Sequence, residues 1–210
     1  MKTIVISDTH KDFSKLQVPD GDVLIHAGDI DAYNYSSTLK DFNKWLKKLP
    51  HKHKIVIAGN HDKYIYQNDI NKVKKYLDNA IYLENSGCEI EGIKFWGSPI
   101  TPTFGDWFFM AERGSDINEY WKKIPLNTDV LITHGPPYKI LDYVDFSYAN
   151  HHVGCSDLLK KINKVKPKFH IFGHIHGGYG IHKENDITFV NASVMNEDYD
   201  VVNKPIEINI

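Results

Sequence analysis

The chain has 210 residues, with 25 Lys and Arg against 27 Asp and Glu and a formal net charge of −2. That length suits one domain, residues 1–210, with a full sheet-based core, and the near-balance of charge argues against a nucleic-acid groove. No apolar run is long enough to cross a bilayer, and the two cysteines, Cys88 and Cys155, lie outside any Cys-x-x-Cys pattern, which predicts free thiols rather than a disulfide scaffold.

The elements follow in chain order. Thr3 to Ile6 is a β-branched run that leads into Asp8-Thr9-His10, with no positively charged segment and apolar stretch ahead of it, which predicts a cytoplasmic protein. Val23 to Ile25 is a second strand and precedes Gly28-Asp29. Tyr35 to Leu49 sets Leu39, Phe42, Trp45, Leu46 and Leu49 at helical spacing, closed by Pro50. Ile55 to Ala58 leads into Gly59-Asn60-His61-Asp62, and Asp69 to Leu77 reads as a shorter helix. Ile81 to Leu83, Cys88 to Ile90 and Ile93 to Trp96 are short strands, the last two joined by a tight hairpin at Glu91-Gly92. Val130 to Ile132 precedes His134-Gly135, and Ser156 to Val165 is a helix that stops before Pro167. Phe169 to Phe172 leads into Gly173-His174-Ile175-His176. In the tail, Gly180 to Lys183, Ile187 to Asn191 and Pro205 to Ile208 read as strands, with a turn at Glu184-Asn185-Asp186. Two aromatic-rich irregular stretches remain, Trp96 to Arg113 and Gly135 to Gly154. The lysine-rich stretches near 44–54, 72–75 and 160–168 are broken by apolar residues, as on solvated helix faces. Periodicity alone gives an α/β protein with mixed sheets.

Five His, Asp and Asn motifs each follow a strand-like run. A buried strand that ends in a ligand holds that ligand at the rim of a rigid sheet. Five such rims converging supply enough ligands for two metal ions, and two metals sharing a carboxylate form a site for splitting phosphate esters.

The ordered series Asp8-Thr9-His10, Gly28-Asp29, Gly59-Asn60-His61-Asp62, His134-Gly135 and Gly173-His174-Ile175-His176 resembles the metallophosphoesterase superfamily, the calcineurin-like phosphoesterases. A narrower resemblance rests on Ile25-His26-Ala27-Gly28-Asp29, Trp96-Gly97-Ser98-Pro99, Thr133-His134-Gly135-Pro136-Pro137, Phe172-Gly173-His174-Ile175-His176 and Asn191-Ala192-Ser193. It is to metallophosphoesterase-domain proteins related to class III cyclic nucleotide phosphodiesterases. The resemblance implies a four-layer αββα sandwich of two mixed β-sheets flanked by helices, with the metal site on loops at the strand ends. It also implies that Asp8, His10 and His176 hold one metal, that Asn60, His134 and His174 hold the other, and that Asp29 bridges them. Such a mixed set suits two divalent transition-metal ions, manganese first, then iron, zinc, cobalt or nickel. The implied chemistry is direct attack of a metal-bridging hydroxide on the phosphorus of a small phosphate-ester substrate, with His61 protonating the leaving oxygen and Asp62 orienting His61.

Single histidines carry little weight, and only their joint spacing promotes His10, His134, His174 and His176 to ligands. His26 reads equally as a core residue, His170 as structural, and His51, His53 and His182 as surface residues. Arg113, the only arginine, and His152 are candidate substrate contacts on the irregular stretches. The aromatics Phe104, Trp107, Phe108 and Phe109 read as core more readily than as a stacking platform. Two divalent ions, Asp8, Asp29 and a hydroxide leave a surplus of about one positive charge, which a phosphodiester, a cyclic nucleotide for example, neutralises. A phosphomonoesterase is the alternative. The protein-phosphatase form is disfavoured because Ile30-Asp31-Ala32-Tyr33 lacks its Asp-Arg-Gly. A scaffold that has lost catalysis is the rival from another class, and the full ligand set argues against it.

Overall fold

The computed structural model of the protein describes residues 1–146 and 149–210. In chain order the strands are β1 (Lys2–Ile6), β2 (Val23–Ala27), β3 (His53–Ile57), β4 (Ile81–Tyr82), β5 (Ser86–Ile90), β6 (Ile93–Ser98), β7 (Thr101–Pro102), β8 (Met110–Ala111), β9 (Val130–Thr133), β10 (Tyr143–Phe146), β11 (Ala149–His152), β12 (Phe169–Phe172), β13 (Gly180–Glu184), β14 (Ile187–Asn191) and β15 (Ile206–Asn209). The helices are α1 (Ser36–Lys48), α2 (Lys63–Tyr66), α3 (Ile70–Tyr76), α4 (Ser115–Trp121) and α5 (Ser156–Val165).

Two mixed sheets carry the architecture. The first has the order β15-β1-β2-β3-β4 and the second the order β13-β14-β12-β9-β6-β5. In the first, β1 to β4 are parallel and β15 closes one edge antiparallel. In the second, β6, β9, β12 and β14 are parallel and β5 and β13 pair antiparallel at the edges.

The alternation of side chains along each strand explains the layers. Val5, Ile25, Ile57, Val130, Ile132, Ile171 and Val190 form the core between the sheets. Their neighbours Ile4, Ile6, Leu24, Val56, Leu131, Phe172 and Phe189 point the other way and pack with the helices. On α1, Leu39, Phe42 and Leu46 are the buried positions, three and four residues apart, and its lysines stay outside. Phe42 meets Phe13 and His26 at ring-centroid distances of 5.3 and 5.0 Å, so Phe42→Ala removes ~3–5 kcal/mol of packing there. On the outer side of the second sheet, Ile117 and Trp121 of α4 join Leu158 and Ile162 of α5. This is the αββα order that the motif resemblance implies.

The eleven expected strands and the three expected helices lie within two residues of their expected bounds, and the Glu91-Gly92 hairpin has positive φ at both residues, 51° and 82°, as a tight two-residue turn requires. Helix α4 was not expected. Its seven residues between Gly114 and Pro125 give the spacing of Ile117, Trp121 and Ile124 little room to show a period. The two irregular stretches carry the ribbons β7–β8 and β10–β11, and residues 147 and 148 of the second lie outside the described residues. No described helix is long and apolar enough to cross a membrane.

Parallel strands align their C-terminal ends, so β1, β2, β3, β9 and β12 all run out on one rim. The sheets are stitched together there: Ser7 N–H donates to the Ala192 carbonyl at 2.9 Å, and Val194 N–H donates to the Ser7 carbonyl at 3.0 Å. All five motifs begin at this rim.

Candidate metal centre

Four motif residues leave their strands in a left-handed backbone: Asp8, His10, Asp29 and His174 have φ of 55°, 38°, 59° and 70°. Asp and His tolerate this region better than most side chains, and interlocked loops hold it. Asp8 N–H donates to the Gly28 carbonyl at 2.9 Å, and Thr9 and His10 N–H both donate to the Asp29 carbonyl, at 3.0 and 3.2 Å. The sharp turns aim the side chains into one space.

Asp8, His10 and His176 present their ligand atoms within 4.8 Å of one another, as do Asp29, His134 and His174, and as do His10, Asp29 and His61. Asn60 Oδ1 joins the second set, 2.9 Å from His134 Nε2. Asp29 stands between the sets: its Oδ2 is 3.7 Å from His10 Nε2 and 3.3 Å from His134 Nε2. Two glycines make room for this. A Cβ on Gly59 would collide with Asp29 Oδ1 and the His134 ring, and one on Gly173 would collide with Asp8 Oδ2 and Ser7.

Backbone groups fix the rings and carboxylates. His134 Nδ1–H donates to the Ala27 carbonyl at 3.0 Å and His176 Nδ1–H to the Asn196 carbonyl at 2.8 Å, which turns both Nε2 atoms inward. His174 N–H donates to the Asp8 carboxylate, and His61 N–H donates to Asp29 Oδ1 at 2.9 Å. Burial would raise both carboxyl pKa values, yet the neighbouring imidazoles His176 and His134 hold Asp8 and Asp29 below the usual carboxylate range, so both are ionised. Burial pushes His174 down to about 3 and lowers His10, which leaves neutral rings with free lone pairs. Burial opposes protonation of His134 too, but the Asp29 carboxylate outweighs it and lifts that ring to about 9. His10 Nε2 is buried without a hydrogen-bond partner. Two ionised carboxylates, an unpartnered imidazole nitrogen and an amide oxygen in one buried space fit divalent transition-metal ions.

Above this floor opens a cavity of about 700 Å³. Trp107 stacks on His61 at 4.1 Å between centroids with 30° between planes, and Phe104 meets His174 at 5.0 Å. Tyr199 stands edge-on to His10 and His176, at 4.8 and 5.1 Å. Arg113 and the β10–β11 ribbon complete the wall.

Residues 1–178 match the sequence pattern of the calcineurin-like phosphoesterases, Metallophos. The chain belongs to this family. Metallophosphoesterase domain-containing protein 1 of Homo sapiens is 40% identical over 230 residues, covering 99% of this chain and 70% of the human one. A UPF0046 protein of Caenorhabditis elegans is 37% identical over 220 residues, covering 98% of this chain and 74% of its own. The protein TT1561 of Thermus thermophilus shares the fold with a TM-score of 0.61 over 99% of this chain and 98% of that one, at 13% identity. Membership is compatible with metal-dependent hydrolysis of phosphate esters, and the clusters described above supply candidate ligands for the divalent metals that the family binds.

In this phosphoesterase the seven residues named from the motifs lie together at the rim. His61 lies beside them. Asp62 does not orient His61: its carboxylate accepts from the backbone N–H groups of Gly59, Ala32 and Ile30, at 2.8, 3.0 and 3.3 Å. Side chains of successive residues point apart, so Asp62 braces the loops that carry Asn60 and Asp29. Arg113 reaches the cavity, but its Nη1 and Nη2 donate to the Gly154 and Val153 carbonyls at 2.8 and 2.7 Å, which makes it a strut of the wall. His152 lines the cavity. Phe109 is core, whereas Trp107 and Phe104 face the site, contrary to the expectation for the aromatics. His26 and His170 are buried and bonded to the Thr9 and Thr133 hydroxyls at 3.0 and 2.8 Å. His51, expected at the surface, is buried. Tyr199, Glu197 and Asn196 were missed: they sit in a polar turn region that carries no motif.

Proposed function

We propose that this calcineurin-like phosphoesterase holds two divalent metal ions and hydrolyses a phosphodiester, with cyclic nucleotides among the candidate substrates. The observation that carries the dinuclear reading is the position of Asp29 Oδ2, which faces one imidazole of each ligand set. Asp8, His10 and His176 hold one ion, Asn60, His134 and His174 the other, and Asp29 is shared. Bound there, the two ions supply Lewis acidity toward the phosphoryl oxygens and make water acidic enough to attack.

The chain's own residues do the rest. Asp8 and Asp29 keep the ligand sets negatively charged, and the Ala27 and Asn196 carbonyls keep His134 and His176 in the ligating tautomer. His61 gives its proton to the departing alkoxide, its ring held flat against Trp107. Phe104, Trp107 and Tyr199 line the cavity in which the reacting phosphate would sit.

Charge favours the diester. Arg113 is the only Lys or Arg among the described cavity residues, and both its terminal nitrogens are already bonded to carbonyls. Asp145 and Glu197 add negative charge to the lining. A monoester dianion therefore meets one side-chain cation among the described lining residues, Arg113, whose guanidinium is anchored on two carbonyls, whereas a singly charged diester needs none.

The test is hydrolysis of bis-p-nitrophenyl phosphate beside p-nitrophenyl phosphate by chelator-stripped protein resupplied with Mn²⁺. The diester should be preferred in kcat/KM by at least about tenfold, ~1.4 kcal/mol. A monoester preference would replace this reading with a phosphomonoesterase. Failure on both esters with every divalent metal would favour a scaffold.

A further inference from the structure

Opposite the metal floor, Asp142, just before β10, sets another buried carboxylate against an imidazole, that of His152 in β11. The Asp142 side chain is fully buried and both its oxygens are occupied. Oδ2 accepts from the Lys139 and Gly154 N–H groups at 2.8 and 2.9 Å, and Oδ1 faces His152 Nδ1 at 2.6 Å. A carboxylate only accepts, so Nδ1 carries the hydrogen of that bond and Nε2 is the nitrogen left for another partner. The His152 side chain is 39% exposed and lines the same cavity as His61, Asn60 and His174.

The ring is held on several sides. Tyr143 lies directly across the ribbon from His152, with ring centroids 5.7 Å apart, and Tyr138 stands edge-on at 5.9 Å. Arg113 clamps the next two residues through the Val153 and Gly154 carbonyls. An imidazole with a fixed tautomer on a braced wall is the arrangement that orients a ligand by one hydrogen bond. The rest of the wall offers rings (Phe104, Trp107, Tyr199) that suit a flat organic group.

We propose that His152 Nε2 hydrogen-bonds the organic group of the substrate, the part beyond the phosphate, and that Asp142 is the positioning residue that aims it. The substrate class this selects is a phosphate ester whose organic group combines a flat ring with a hydroxyl or amide. This rests on the phosphodiesterase reading for its assay but not for its binding test.

Two diesters with the same leaving group separate the roles. Thymidine 5′-monophosphate p-nitrophenyl ester carries a ring with hydroxyl and imide groups, and bis-p-nitrophenyl phosphate carries neither of those groups. In His152→Ala the kcat/KM ratio of the first to the second should fall about tenfold, the ~1.4 kcal/mol of one hydrogen bond, chiefly through KM. His152→Gln keeps a hydrogen-bonding group and should recover part of the ratio, and Asp142→Asn should lower it as His152→Ala does. A wall with only a structural role would lower both substrates together and leave the ratio where it was, which overturns the proposal. Calorimetric titration of Mn²⁺-loaded protein with thymidine 5′-monophosphate reads the same contact without turnover. Binding weakened about tenfold in His152→Ala supports the proposal even if no diester is hydrolysed, and equal binding by both proteins overturns it.

Discussion

On the floor of the cavity, Asp8, Asp29, Asn60 and His134 are at most 2% exposed and leave the ends of parallel strands. On its walls, Phe104 and Tyr199 are 41% and 50% exposed and stand on turns, while His152 ends a two-stranded ribbon. The floor inherits its rigidity from two packed cores, because each proposed ligand is one to four residues from a buried strand. The walls inherit theirs from single ties, Arg113 to the Val153 and Gly154 carbonyls above all. On the proposed function, chemistry and selectivity are carried by different parts of the chain. Damage to the floor should remove metal, and damage to the walls should change which ester is preferred while metal stays bound.

The largest effect is expected at the shared carboxylate. Asp29→Ala should empty both metal positions and lower diester hydrolysis by more than roughly a thousandfold, well beyond the 10–100-fold that partners outside the ligand shell command. Elemental analysis beside an activity assay reads both, and retained metal at full stoichiometry would break the contrast. Next comes Gly59→Ala, which adds a single methyl against the Asp29 carboxylate and the His134 ring. Metal affinity should fall by roughly a hundredfold, as for a displaced ligand partner, and unchanged affinity in a metal titration would show that the floor is softer than its packing implies.

On the walls the effects are smaller and of another kind. Trp107→Ala removes the ring that lies flat on His61. It should cost about tenfold in kcat for an ester with an alkoxide leaving group, with metal content intact and less loss for a nitrophenolate, which leaves without a proton. Equal losses for both leaving groups would mean that Trp107 acts on binding instead. The smallest effect is one of stability beneath the floor. Burial pushes His170 down to about 3, below its unfolded value, so it stays neutral in the folded chain while the unfolded chain takes up a proton. Its contribution is fully present above the unfolded pKa of about 6.5 and is lost as pH falls toward 3. Between about pH 6 and 5 that loss is about 1 kcal/mol, and denaturant titration of His170→Gln should show a correspondingly shallower pH dependence.

The floor was legible in the sequence because each proposed ligand follows a β-branched or apolar run, and a run of that kind both names its strand and locates the strand's end. Asp8, Asn60 and His174 could be assigned to one rim before any contact was known. Asp62 shows the limit of the same reasoning: adjacency to His61 suggested a bond to that ring, but the carboxylate binds Gly59, Ala32 and Ile30 N–H groups instead. The walls were less legible. His152 was singled out, yet its partner Asp142 lies ten residues earlier, across a ribbon whose register no periodicity announces. Tyr199 reaches the site from a polar turn with a positive φ of 63°, and no pattern in 196–200 distinguishes it from an ordinary surface tyrosine. Strand ends are encoded by local hydrophobic pattern, whereas loop side chains are placed by tertiary contacts.

The most direct test of the two-metal account is a Mn²⁺ titration of chelator-stripped protein, followed by calorimetry and by diester hydrolysis in the same samples. Two equivalents per chain, with hydrolysis rising as the second binds and Asp29→Ala abolishing both events, is the predicted result. Saturation of wild-type protein and its full activity at one equivalent would contradict the shared-carboxylate centre.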